Sequence, residues 1–175
     1  MNITPSCSRR SFIKTTGLAL SAGMLSTASP LLAAGKKKTL VGCRDVHLKV
    51  AGLPDSWSSM KAVGAEAIEV CVELDLTCPL LFHPQRKYTL ATPEGIRTLK
   101  DDLSASGCRI AAFMMGNRFD ERLEEELECA RRLIPAAQQL GVEIIRIDVV
   151  PRKLGGDQFL SFAIDTCKRL CALAE

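Results

Sequence analysis

Two carboxylates and one guanidinium stand where they could handle a polar ligand. In EAIEVCVEL, at 66–74, Glu69 and Glu73 fall on one side of an alternating run whose other side is Ile68, Val70 and Val72. In VEIIRIDVV, at 142–150, Arg146 and Asp148 likewise share a side. Carboxylates on one strand face can hold hydroxyl groups and move protons. They can equally be buried acids neutralised by an interior arginine, because an interior charge is rarely left unpaired. Both readings stand for Glu69, with Arg146 as the partner in the second. Asp148, near the end of its strand, is a pocket candidate. His83, in LLFHPQRKY, and His47 fall in loops, where binding residues concentrate but where solvated histidines are also common. Trp57, the only tryptophan, sits in a short helical segment and is assigned to packing.

The elements that must carry these residues follow in a regular order. TLVGCRDV, at 39–46, reads as strand one. SWSSMKAVGA, at 56–65, reads as a short helix closed by Gly64, and 66–74 as strand two. A longer segment with Pro79, Pro84 and Tyr88 comes next. Thr92 then offers an N-cap, Pro93 suits the first helical position, Glu94 meets the helix dipole, and Gly107 closes the helix. CRIAAFMM, at 108–115, is strand three. From Asp120 to Leu140 the apolar residues Leu123, Leu127, Ala130, Ile134 and Ala137 mark one helical face, with Pro135 expected to kink or split the helix. Gly141 ends it, 142–150 is strand four, and a last helix begins near Gln158.

Strand then helix, four times over, implies parallel pairing with right-handed crossovers. A doubly wound sheet and a (β/α)8 barrel both fit that order. GCRDVHLKVAG after strand one lacks the Gly-x-Gly-x-x-Gly turn of dinucleotide folds. Polar residues along one face of strands two and four also suit a barrel interior better than a sheet apolar on both sides. The fold class expected is therefore α/β, a (β/α)8 barrel of which the first four units are present.

Composition removes some functions. The 175 residues carry 23 Lys+Arg against 20 Asp+Glu, a formal charge of +3. Residues 1–34 hold Arg9, Arg10 and Lys14 and no acid, so without those three the balance is 20 against 20. A neutral domain lacks the electrostatic footprint of a nucleic-acid binder. The eight cysteines include no Cys-x-x-Cys pair. Cys43, Cys71, Cys108, Cys129, Cys167 and Cys171 fall in strand or helix patterns and are assigned to packing rather than to metal or disulfide chemistry.

The amino terminus resembles a twin-arginine (Tat) export signal. Ser8, Arg9, Arg10, Phe12 and Lys14 match the usual Ser-Arg-Arg-x-Phe-Leu-Lys, with Ile13 in place of Leu. The apolar run at 18–32 is interrupted by Ser21, Gly23, Ser26, Thr27, Ser29 and Pro30. A membrane-spanning helix needs roughly 20 mostly apolar residues, whereas a signal core needs only about 7–15. Residues 1–34 are read as the signal and 35–175 as the folded part. The resemblance implies export to the periplasm and the Tat translocase as a partner.

The folded part resembles the first half of the sugar phosphate isomerase/epimerase family, the xylose isomerase-like TIM barrels. GAEAIEVCVE, SASGCRIAAFMM and ARRLIPAAQQLGVEIIRIDVV carry the likeness, through Glu69 and through Ala136, Ala137, Leu140, Gly141 and Arg146. The resemblance implies a sugar, sugar acid or cyclitol substrate. It also implies one divalent ion (Mn²⁺, Mg²⁺ or Co²⁺) held by two Glu, an Asp and a His, assisting proton transfer. Those ligands belong to later strands, so none is assigned in this chain. Endonuclease relatives with a three-metal site place histidines at the ends of strands two and three, where Val72, Glu73, Met114 and Met115 stand here. A full barrel takes about 250 residues. The expectation is an enzyme fragment or a truncated product that pairs with a second half barrel, a homo-oligomer included. The alternative is a non-catalytic half barrel that binds a carbohydrate or partner, or a gene remnant. Replacing Arg9 and Arg10 together by Lys is expected to hold the precursor in the cytoplasm. Fractionation that finds the Lys–Lys protein in the periplasm would point to a Sec-type signal instead.

Overall fold

The computed structural model describes residues 40–175. Arg9, Arg10, the rest of the export segment and residues 35–39 lie outside the described residues. Strands β1 (Gly42–Arg44), β2 (Ala67–Val72), β3 (Arg109–Met115) and β4 (Ile145–Arg146) form one parallel sheet in the order β1-β2-β3-β4. A 3-10 turn (Asp45–Ala51) and helix α1 (Ser56–Ala62) join the first two strands. Helices α2 (Pro93–Ser106) and α3 (Phe119–Leu140) form the next two crossovers, and α4 (Gly156–Ala174) follows the last strand.

Pairing sets the two faces of the sheet. Ile68 lies beside Cys43 and Ile110, Val70 beside Phe113, and Val72 beside Met115. These residues point to the helices and form the core with Met60, Leu99, Leu103 and Leu133. Fully burying such a side chain contributes about 1.5–3 kcal/mol relative to leaving it in water. On the opposite face Arg44 lies beside Glu69, Glu69 beside Ala112, and Met114 beside Arg146. A register shift between Ile68 and Glu69 leaves Ala111 without a partner on β2 and keeps both strands in phase beyond it.

The helix termini follow their local chemistry. The Asp55 carboxylate accepts from the Ser58 amide at 2.8 Å at the start of α1. Thr92 Oγ1 accepts from the Gly95 amide at 3.1 Å at the start of α2, and Gly107 closes that helix at φ 71°. Between β2 and α2 the long segment is ordered by a clasp. Trp57 Nε1 donates to Tyr88 Oη at 2.9 Å, and Tyr88 Oη donates to Asp102 at 2.7 Å. Burial, with the bond to Asp102, pushes the Tyr88 hydroxyl well above its ordinary range, so it stays protonated and able to donate. Trp57 is thus a packed residue whose one polar atom is satisfied.

Four expectations are corrected. Pro135 does not break α3; the residue with non-helical geometry is Arg122, at φ −152° and ψ 55°. Pro135 and Arg131 both face solvent, so the carbonyl freed by the missing proline N–H lies on the wet side of the helix. Strand one ends at Arg44 rather than at residue 46, because the Asp45 carboxylate takes the amides of Val46 (2.8 Å) and Cys71 (2.6 Å) and turns the chain into the 3-10 segment. Strand four keeps only Ile145 and Arg146 in the ladder. It pairs on one side alone, and the Asp148 amide is drawn away to Asn117 Oδ1 at 2.9 Å. Among the thiols, Cys71, Cys78 and Cys129 are buried as packing residues, and burial raises the Cys78 thiol to about 12. Cys167 and Cys171 are exposed on α4, against the packing assignment, because both border an open groove between α3, β4 and α4 rather than the closed core.

Gly95 tests how tightly the long segment is docked. A Cβ at this position would run into the Thr89 carbonyl oxygen and lie 2.7 Å from Thr89 Cγ2. Gly95→Ala is expected to cost about 1–3 kcal/mol through overpacking, read as a lowered Tm. An unchanged Tm would show that the segment shifts without penalty.

Candidate functional site

The sheet face away from the helices carries a row of opposite charges, at the C-terminal ends of β1 and β4 and mid-strand on β2. Arg44 Nε lies 2.9 Å from Glu69 Oε1, and Arg146 Nη1 lies 3.0 Å from the same oxygen. Arg146 then reaches Asp148 with Nε at 3.2 Å and Nη2 at 3.0 Å. Three strands are thereby tied by one carboxylate and one forked guanidinium. Asp148, first, and Glu69 raise the Arg146 pKa further, so its charge is fixed. Arg44 Nη2 points at the Met114 sulfur, 3.0 Å away, a weak acceptor for a charged donor.

A second set of polar groups supports this row from below the surface. Asp45 is buried at the end of β1, and burial raises its pKa against the amide bonds from Cys71 and Val46. Asn117 is buried just after β3; it accepts from the Asp148 amide and donates to Glu126 at 3.4 Å. Glu126, 1% exposed, also takes the Arg118 amide and Arg122 Nε, each at 2.9 Å. The first turn of α3 therefore finds its missing cap in a side chain from two turns further on, and the kink at Arg122 lets that side chain reach back.

Of the residues singled out from the sequence, Glu69, Arg146 and Asp148 come together. Glu73 is exposed beyond the end of β2, and its carbonyl accepts from Leu76 N–H (2.8 Å) and the Cys129 thiol (3.8 Å). His83 lies on the β2–α2 segment, where its Nδ1 accepts from the Gln85 amide at 3.1 Å. His47 is exposed in the 3-10 turn. Arg44, Asp45, Asn117 and Glu126 were missed. Glu126 had a legible signal, a carboxylate beside Leu127 on the apolar side of an amphipathic helix. Arg44 and Asp45 had only their place at the end of a short apolar run.

The described residues include no group of three His, Cys, Asp or Glu side chains placed to hold a metal ion. Glu69 and Asp148, the two carboxylates nearest the centre of the row, are both engaged by Arg146. The residues present thus do not fit a metal centre. On the helix side of the sheet an apolar groove of about 860 Å³ lies between α3, β4 and α4, lined by Ile134, Ile144, Ile147, Cys167 and Leu170. It is remote in chemistry from the charged row.

The strand order and the polar mouth can be set against solved structures. A sugar phosphate isomerase/epimerase from Parabacteroides distasonis superposes with a TM-score of 0.57 at 12% identity, over 82% of this chain and 50% of that one. The chain has the fold of half a (β/α)8 barrel. A xylose isomerase domain protein from Planctomyces limnophilus aligns at 0.45 and 13% identity, over 77% of this chain and 50% of its own. No family model matches the half barrel, and no curated protein does. The chain spans about half the length of these neighbours.

In the half barrel, Glu69 is the shared ion-pair partner of two arginines. Glu69→Ala would leave both guanidinium groups without it, and the groups are partly solvated. The expected loss is about 1–2 kcal/mol, with a double-mutant cycle against Arg146→Met giving a coupling of about 0.5–1 kcal/mol. A coupling of zero in chemical denaturation would show that the row is a surface arrangement with no role in holding β2 to β4.

Proposed function

We propose that this half barrel belongs to an exported protein acting on a sugar or cyclitol, and that the Glu69–Arg146–Asp148 row forms part of its substrate mouth. The observation that carries the reading is the fork of Arg146, at the C-terminal end of β4, between the Glu69 and Asp148 carboxylates. Active sites of (β/α)8 barrels lie at that end. A polyhydroxylated ring presents donors and acceptors alternately. The row offers the same alternation, with guanidinium N–H groups as donors and carboxylate oxygens as acceptors. Glu69 Oε1 receives both arginines, so Oε2 is the oxygen directed to a ligand hydroxyl. In this role Glu69 and Asp148 orient hydroxyls, and Arg44 and Arg146 keep the two carboxylates aimed.

The reaction proposed for the whole protein is an isomerisation or epimerisation by proton transfer beside a carbonyl. A divalent ion would supply polarisation of that carbonyl. The described residues gather no ligand set for such an ion. The Tat-type segment supports a periplasmic location, and the likeness of fold to the P. distasonis protein supports the class of reaction.

Saturation-transfer NMR on the full chain with an aldose, a ketose and a cyclitol tests the reading. Weak binding is expected, on the order of 1 mM, about −4 kcal/mol, with the signal lost in Arg146→Met. Solvent exchange of the proton beside the carbonyl in D₂O then separates the two activities: exchange marks a catalyst, and binding without exchange marks a carbohydrate-binding module. Absence of binding to all three, or binding indifferent to Arg146→Met, rejects the row as a sugar site.

A further inference from the structure

The chain leaves β4 through a segment held in an unusual way. The amides of Arg152, Lys153 and Leu154 all donate to one oxygen, Asp120 Oδ2, at 2.7, 2.7 and 3.1 Å. Asp120 comes from the first turn of α3, on the other side of the kink at Arg122 from the rest of that helix. Its second oxygen, Oδ1, is buried and without a hydrogen-bond partner. The side chains of Arg152 and Lys153 are exposed, and neither forms an ion pair among the described residues. Gly155 and Gly156 follow directly. Neither has an atom within 4 Å of where a Cβ would stand, and Gly156 is left-handed at φ 54°. Gly155 opens α4 without a side-chain cap, and the first bond across it is long, Phe159 N–H to Gly155 O at 3.4 Å. One carboxylate thus gathers three amides on one side of this segment, and two unhindered glycines lie on the other.

We propose that residues 151–156 are a hinged strap at the mouth of the half barrel, latched by the Asp120 carboxylate and able to swing about Gly155 and Gly156 when the latch releases. The strap begins three residues after Asp148, so its position sets what can reach the Glu69–Arg146–Asp148 row. The latch is a single-point device. Three amides converging on an anion bind it well, yet replacing that anion frees all three at once. The same cradle accepts any oxyanion, so a phosphate or carboxylate on a ligand entering the mouth would compete with Asp120 for it. Desolvation works against the charged carboxylate, but the three amides outweigh it and hold Asp120 at about 2. The group is depressed, so its contribution is present above the ordinary carboxylate range and is lost only as pH falls toward that value. The latch is therefore shut at neutral pH, and a competitor rather than mild acid opens it. The strap does not rest on the sugar reading: its test measures backbone opening, with no ligand or activity.

Hydrogen exchange on the full chain supplies that test. In Asp120→Asn and Asp120→Ala the amides of 152–154 are expected to exchange roughly tenfold faster or more, with β2 and β3 unchanged. Unchanged exchange in the strap overturns the latch. Protection lost across the whole sheet also overturns it, because Asp120 would then hold the fold and not a strap. Gly155 has extended geometry, φ −140° and ψ 166°, which alanine adopts without strain. Adding Gly155→Ala to Asp120→Asn should slow the opening again; no slowing removes the hinge. Should the Asp120 variants fail to fold, the wild-type chain still decides. Its 152–154 amides must exchange by a local opening insensitive to low denaturant, and exchange only through global unfolding refutes the proposal.

Discussion

Glu69 is the charge on which the inner face of the sheet closes. A parallel sheet is ordinarily buried on both faces, and a charge placed on such a face must find its opposite. Here one carboxylate oxygen from β2 receives a guanidinium from β1 and another from β4, crossing β3 to do so. That pairing lets arginines sit on the inner side of β1 and β4, the two edge strands, without an unpaired ion. It also leaves the outer face wholly to Ile68, Val70, Val72, Phe113 and Met115, the residues that weld the sheet to its helices. The two faces are therefore not independent. A one-residue slip of β2 would turn Glu69 into the apolar core and Ile68 or Val70 toward the charged row.

Much of this could be read from the sequence, and the parts that could not share a cause. The α2 boundaries were legible because Thr92, Pro93 and Gly107 act on their immediate neighbours. The alternation in β2 was legible because period two is local as well. Strand one and strand four were read too long. Their ladders are cut by the Asp45 carboxylate and by Asn117 Oδ1, each taking an amide that the ladder would otherwise use. The Cys71 amide is 26 positions from Asp45, and the Asp148 amide is 31 from Asn117. No window of sequence contains both partners. Pro135 was misread for the opposite reason: its local effect is real, but solvent on the exposed side of α3 removes its cost. The kink went instead to Arg122, where Glu126 satisfies the helix start from within the helix.

The comparison with the P. distasonis protein fixes architecture and goes no further. At 12% identity over half of that chain, the shared property is the order and direction of four strands. Barrels of this kind host many chemistries, and the site decides among them. What this site offers is donors and acceptors alternating at about 3 Å spacing, with both acids already balanced by arginine. Such a surface orients hydroxyl groups well. It does not gather a cation, because each carboxylate that could ligate one is already neutralised by a guanidinium of the same row.

The C-terminal ends of the strands share one construction. Asp45, just past β1, takes the amide of Val46, Asp75 takes that of Thr77 after β2 at 2.9 Å, Asn117, just past β3, takes that of Asp148 after β4, and Asp120 takes three amides from the segment after β4. In each case a short polar side chain collects backbone donors that have just left the ladder, satisfying buried or turning amides that would otherwise be costly. The effect is to end each strand at a defined residue and to aim the loop that follows. The side chains on the inner face of those ends then inherit fixed positions: Glu69 between two arginines, and Arg146 between Glu69 and Asp148. Rigidity at the mouth comes from these captures more than from the ladder itself, which at β4 is only two residues long. It is also unevenly shared. The captures by Asp45 and Asn117 are buried, while the capture by Asp120 stands at the edge of the sheet with exposed glycines behind it, so the mouth is firm at β1 to β3 and adjustable at β4.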